Sequence, residues 1–159
     1  EKTAAAAGKI GELRRDPMAM LPFCGYNMAD YWGHWLKMGR SVSAPPGIFR
    51  VNWFRKDEAG NFVWPGFGEN MRVLSWMIDR VEGRGKGTDH VFGTSPSFED
   101  LNWEGLDFTK QQFEQVTSID HAAWQKELAL HEELFTQLKH NLPQALVDAK
   151  AALAKRLAA

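Results

Sequence analysis

A single cysteine, Cys24, among 159 residues has no internal partner, so the chain forms no internal disulfide and suits a reducing compartment. The same scarcity excludes a zinc site built on several cysteines. Basic residues are in no excess. Nineteen Lys and Arg against twenty Asp and Glu give a net charge of -1, unlike the basic stripe of a nucleic-acid surface. No apolar run approaches the ~20 residues of a membrane span. The opening "EKTAAAAGK" lacks the apolar core of a secretory signal, and the expected location is cytoplasmic. Catalytic patterns are missing too. The histidines at 34, 90, 121, 131 and 140 form no HExxH pattern. His131 and His140 fall on a solvated helix face, and His34, among tryptophans, reads as a packed histidine. "GRGKGT" is no phosphate loop, because Gly87 stands where Ser or Thr should follow the lysine. It reads as a flexible link.

Aromatic residues are plentiful: seven Trp and ten Phe. The length suits about one domain, with a real core to bury. Residues 1–22 combine "AAAAGK" with glycines at 8 and 11 and Pro17, which argues against a continuous helix and leaves a tail or a loop. "NMADYWGHWLKMG" has helical spacing, with Asn27 as N-cap and Gly39 just past the end. "RSVSAPPG" reads as a loop, and "IFRVNWF" as a strand. "KDEAGNF" turns back into a short partner strand, and "WPGFG" is a loop. Residues 69–82 form the clearest helix, with Asn70 as N-cap, Gly83 as stop, and Val73, Leu74, Met77, Ile78 and Val81 as its apolar stripe. "HVFGT" suggests one more strand. Three helices follow, over 109–117, 120–140 and from Pro143 to the end, with Trp124, Leu128, Phe135 and Leu138 on the buried face of the middle one.

The stretch "FRVNWFRKDEAGNFVWPGFGEN" concentrates Trp53, Phe54, Phe62, Trp64 and Phe67 around turn residues. Aromatics there either seal a core or hold something flat, and both readings fit the residues alone. A purine could stack between two rings, with glycines letting backbone amides approach. Asn70 brings a donor and an acceptor, which suits the mixed edge of guanine with its O6, N1–H and 2-amino group.

"VNWFRKDEAGNFVWPGFGENMRVLSWM" and "TAAAAGKIGELRRDPMAMLPFCGYNMADYWGHWLKMG" resemble the C-terminal portion of GTP-dependent phosphoenolpyruvate carboxykinases. The likeness is strong over 3–82 and loose after 105. It implies that Phe54, Phe62 and Phe67 clamp guanine with Trp53 beside them. It also implies that Phe67, Gly68, Glu69 and Asn70 form the nucleotide-contacting turn, with Asn70 reading the base edge. Thr3, Ala4, Ala5, Ala6, Ala7, Gly8 and Lys9, and on to about Leu13, become an Ω-shaped active-site lid. Phe23 lines the subsite for oxaloacetate or phosphoenolpyruvate. Two departures stand out. Animal members usually carry Glu and His after the lid alanines, where this chain has "AAAAGK", and Cys24 replaces a second phenylalanine in "FCGYN". Both look like variation within bacterial members.

The resemblance further implies a part of a longer enzyme converting oxaloacetate and GTP to phosphoenolpyruvate, GDP and carbon dioxide. Its Mn2+ ligands, and the Mg2+ that accompanies the nucleotide, are expected outside this segment, in an N-terminal part that is the segment's partner. The segment by itself is expected to be inactive, and the enzyme a monomer with no nucleic-acid or membrane partner. The expected fold is mixed α/β, mainly helices with a few short strands. Residues 1–13 are the expected lid, 14–107 the guanine-binding part and 108–159 the C-terminal helices. Two other classes stay open: a single-stranded nucleic-acid platform, and a structural helical domain whose aromatics are all core. Burial of Phe54 and Phe67 against the 69–82 helix would favour the last.

Overall fold

The structure, a computed structural model, describes residues 20–158. It is mixed α/β: five helices, α1 (Met28–Ser41), α2 (Asn70–Val81), α3 (Lys110–Thr117), α4 (His121–Leu138) and α5 (Gln144–Ala158), and strands β1 (Thr88–His90) and β2 (Gly93–Ser95). Among the described residues no helix is long and apolar enough to cross a membrane. Two compact units form. One joins the chain up to Pro45 with the chain from Asp120 onward, and the other is Pro46–Ile119.

In the first unit, Asn27 caps α1 as its sequence requires, accepting from the Ala29 amide at 2.9 Å. Met28, Ala29 and Trp32 on α1 join Leu138 of α4 in a buried cluster, with Cys24, Phe135 and Leu146 packed on it. Gly39 does not end α1. The helix runs on to Ser41, whose hydroxyl donates to the Met38 carbonyl. His34 is exposed and stacks on Tyr31 at 6.4 Å instead of entering the core, because the buried face of α1 is carried by Met28, Ala29 and Trp32. Asp120 caps α4 through the Ala123 amide, and Leu128 and Leu138 are buried along its length.

The second unit holds the aromatic loop. Its core is Trp76, Leu101, Phe108 and Phe113, with Phe98, Trp103 and Val116 packed around it. Thr109 and Gln112 form a capping box at the start of α3. The stripe expected on α2 is corrected. Leu74, Ile78 and Val81 are exposed, and the helix faces the core with Trp76, flanked by Val73 and Met77. α2 is apolar on two faces, and the larger ring took the core.

"IFRVNWF" is not a strand. It pairs with no strand among the described residues, and its last two residues, Trp53 and Phe54, already lie in a turn. Its contacts are made by side chains instead. Phe49 lies edge-on to Trp76 at 6.1 Å, and Arg50 donates to the Phe92 carbonyl at 3.0 Å. Asn52 ends the run by accepting from the Phe54 amide at 3.1 Å, a local bond that competes with a ladder. "HVFGT" is not a strand but the tip of a hairpin: Val91 and Phe92 turn between the end of β1 and the start of β2, which pair antiparallel with Thr88 opposite Ser95 and His90 opposite Gly93. The glycine-rich "GRGKG" is a packed connection and not a loose link. The Lys86 carbonyl accepts from the buried Trp76 indole at 2.7 Å. A Cβ on Gly87 would come within 2.7 Å of Thr94 and 2.9 Å of the Ser95 carbonyl, so only glycine fits.

Candidate functional site

The site begins with a short hairpin. Lys56 pairs with Phe62, the Val63 amide donates to the Arg55 carbonyl at 2.9 Å, and the Asp57 amide donates to the Asn61 carbonyl at 2.9 Å. The Asp57 carboxylate accepts from the Asn61 amide at 2.8 Å and closes the turn. Arg55 anchors this hairpin from inside its unit. Its guanidinium donates to the carbonyls of Val116 and Ser118 and to the Ser118 hydroxyl, at 3.1, 2.6 and 2.6 Å. Those carbonyls lie at the C-terminal end of α3, where a cation also meets the negative end of the helix dipole.

The aromatic rings of this loop differ in fate. Phe54 is 73% exposed and meets Phe62, itself 58% exposed, at 6.1 Å between centroids. The Lys56 ammonium lies 5.0 Å from the centre of the Phe62 ring. Trp64, only two residues beyond Phe62, is 5% exposed. It packs against Trp53, Trp103 and Phe108 at 5.7, 6.5 and 6.0 Å. After Pro65, Gly66 adopts φ 132°, a backbone conformation that side chains disfavour, and it re-aims the chain. A single 3₁₀ turn, Phe67–Glu69, then leads into α2. Phe67 on that turn is 91% exposed.

Asn70 is not the N-cap expected of it. It is the first helical residue, and its side-chain oxygen accepts from the Trp64 indole at 2.8 Å. The helix start is secured by Arg72 instead. Its guanidinium pairs with Glu69 at 2.6 Å, donates to the Glu104 carbonyl at 3.0 Å and also to that of Asn102. Arg55, Arg72 and the indole N–H of Trp64 hold the turn in place, and sequence reasoning singled out none of these roles. For Trp64 a signal existed. A buried indole N–H requires an acceptor, and the Asn70 amide is close in sequence.

The structure therefore brings Phe54 and Phe62 together and exposes Phe67 on the turn shared with Gly68, Glu69 and Asn70. It sets Trp53, half-buried, on the side of Trp64. Phe23 belongs to the other unit. It ends a 3₁₀ turn, Leu21–Phe23, and is exposed. The lid residues Thr3 to Leu13 lie outside the described residues. Among the described residues no group of three or more His, Cys, Asp or Glu side chains is arranged to hold a metal ion.

Comparison with known proteins gives a consistent family. The phosphoenolpyruvate carboxykinase C-terminal P-loop domain matches residues 1–156. A protein of Anaeromyxobacter dehalogenans (strain 2CP-1 / ATCC BAA-258) named phosphoenolpyruvate carboxykinase (GTP) is 46% identical over 159 residues, covering 100% of this chain and 27% of that protein. One of the same name from Treponema pallidum (strain Nichols) is 46% identical over 161 residues, covering 99% of this chain and 26% of its own length. The chain thus spans about a quarter of these relatives.

Proposed function

The chain belongs to the GTP-dependent phosphoenolpyruvate carboxykinase family, and we propose that it is the guanine-binding C-terminal part of an enzyme making phosphoenolpyruvate, GDP and carbon dioxide from oxaloacetate and GTP. In this reading Phe54, Phe62 and Phe67 stack on the base, with Trp53 beside them. Gly68, Glu69 and Asn70 meet its polar edge. The observation that carries the reading is the exposure of Phe54, Phe62 and Phe67 on a loop whose Trp64 is buried. Rings left in water beside a well-packed core are available to a flat ligand, and the reading in which all these aromatics are core does not account for them.

Residues 3–13 belong to the same proposal as the lid, and Phe23 as the lining of the small-substrate subsite. By the same proposal the ligands for manganese and for the nucleotide's magnesium lie in the rest of the enzyme. The contribution of this segment is then to bind and orient the nucleotide, and to exclude water from the reacting enolate when the lid closes. The test is Asn70→Ala in the full-length protein, followed by competition titration with GTP and ATP. GTP affinity should fall by ~1–3 kcal/mol and the preference over ATP should shrink, because a desolvated base edge loses its partner. An unchanged GTP-to-ATP ratio would refute the assignment of Asn70.

A further inference from the structure

We infer that Trp64 is a positioning residue for base selection: by holding the oxygen of the Asn70 amide, it forces that side chain to present its NH2 group to the nucleotide. The inference rests on the guanine-site reading above and deepens it. An indole N–H can only donate, so the Asn70 atom facing it at 2.8 Å is the carbonyl oxygen. That fixes the amide in one of its two orientations about the terminal torsion, which an unbound amide exchanges readily. The indole itself is held fast, being 5% exposed and packed on Trp53, Trp103 and Phe108. The helix start beside Asn70 is anchored by Arg72, two residues on, through Glu69 and the Glu104 carbonyl. Neither the indole nor the helix start is free to follow a different ligand.

The consequence is a defined polarity. An amide turned this way offers donors, so it recognises an acceptor. Guanine and hypoxanthine both carry the O6 acceptor, whereas adenine carries an amino donor at that position. Two donors facing each other leave a polar group unpaired, which is the strong form of discrimination. Asn70 so oriented rejects ATP and does not sense the 2-amino group, which makes it indifferent between GTP and ITP. This narrows the role that an amide with both a donor and an acceptor could otherwise play.

The experiment uses Trp64→Phe in the full-length protein, which keeps an aromatic ring in the core and removes only the N–H and part of the indole. Dissociation constants for GTP, ITP and ATP are measured by competition titration. The expected result is that the ATP-to-GTP ratio of dissociation constants falls about tenfold, as the released amide turns to suit either base, while the GTP-to-ITP ratio stays within about twofold. Equal weakening for all three nucleotides would overturn the inference and leave Trp64 as core alone. A second variant covers the case in which Trp64→Phe does not fold. Asn70→Asp keeps an oxygen for the indole and replaces the donor with an acceptor, so GTP and ITP should weaken more than ATP. An Asn70→Asp protein that prefers GTP over ATP as strongly as the parent refutes the polarity assigned here. The Asn70→Ala titration separates the two levels: if its ratios shift while those of Trp64→Phe do not, only the positioning role falls.

Discussion

Trp64 and Phe67 are three residues apart on one loop and both carry aromatic rings, yet one is 5% exposed and the other 91%. Trp64 enters a set of rings that includes Trp103, Phe98, Phe108 and Phe113, with Trp103 stacked on Phe98 and Phe108 at 5.2 and 5.0 Å. Phe54, Phe62 and Phe67 stay at the rim. The difference teaches that aromatic content alone does not mark a ligand site. The buried rings contribute stability, and the exposed ones leave stacking area unused. One polar contact between them runs from the Trp64 indole to Asn70, so the core also orients the amide proposed to meet the base.

The contrast can be broken most strongly from the buried side. Trp64→Ala should lower unfolding stability by ~3–5 kcal/mol, the usual effect of emptying a buried aromatic site, and urea denaturation of the full-length protein measures it. A loss below ~1 kcal/mol would show that Trp64 is not part of the core. From the exposed side the signs exchange. Phe67→Ala should leave stability within ~0.5 kcal/mol while weakening GTP binding by ~1–3 kcal/mol through lost stacking. A Phe67→Ala variant with full GTP affinity would remove Phe67 from the clamp.

The smallest effect is on acidity. Asp100 is held below the usual carboxylate range, chiefly by the Ser97 backbone amide, then by the Ser97 hydroxyl, with Lys86 and Arg80 adding charge attraction. This carboxylate closes the turn that carries Phe98 into the aromatic core. Its folded-state pKa is depressed, so its contribution is present above the unfolded value and lost as pH falls through the folded one. Asp100→Asn should therefore lower the melting temperature at neutral pH, by the equivalent of ~1 kcal/mol or less. The gap to the parent should close as pH drops below the ordinary aspartate range. A gap that stays constant down to acid pH would mean that the side chain's charge plays no part.

Much of the helical architecture was legible. Asn27, Thr109 and Asp120 are cap residues followed by helical apolar spacing, and each caps the helix expected of it. Such signals are local, since a cap bonds within three residues. The hairpin around Asp57–Asn61 was legible for the same reason. Legibility failed where the choice lay between competing faces or distant partners. Nothing in "MRVLSWMIDRV" says that Trp76 outcompetes Leu74 and Ile78 for the core, because that is settled by rings from residues 98–113. Strand composition in "IFRVNWF" could not supply a neighbouring strand, and the Asn52 side chain captured the backbone first. Arg55 went unnoticed because its acceptors lie more than 60 residues away in sequence.

The sequence by itself determined the family, through long motifs that chance does not assemble, and the mixed, mainly helical fold, through caps and periodicities that act over a few residues. It also placed the aromatics together on one loop. Only the tertiary structure decided which of them face water. Burial is a competition for a limited interior, and the large indole of Trp64 filled that interior among rings brought from residues 98–113. The Asn70 amide was settled the same way, as its oxygen was claimed by the indole N–H that burial had removed from water.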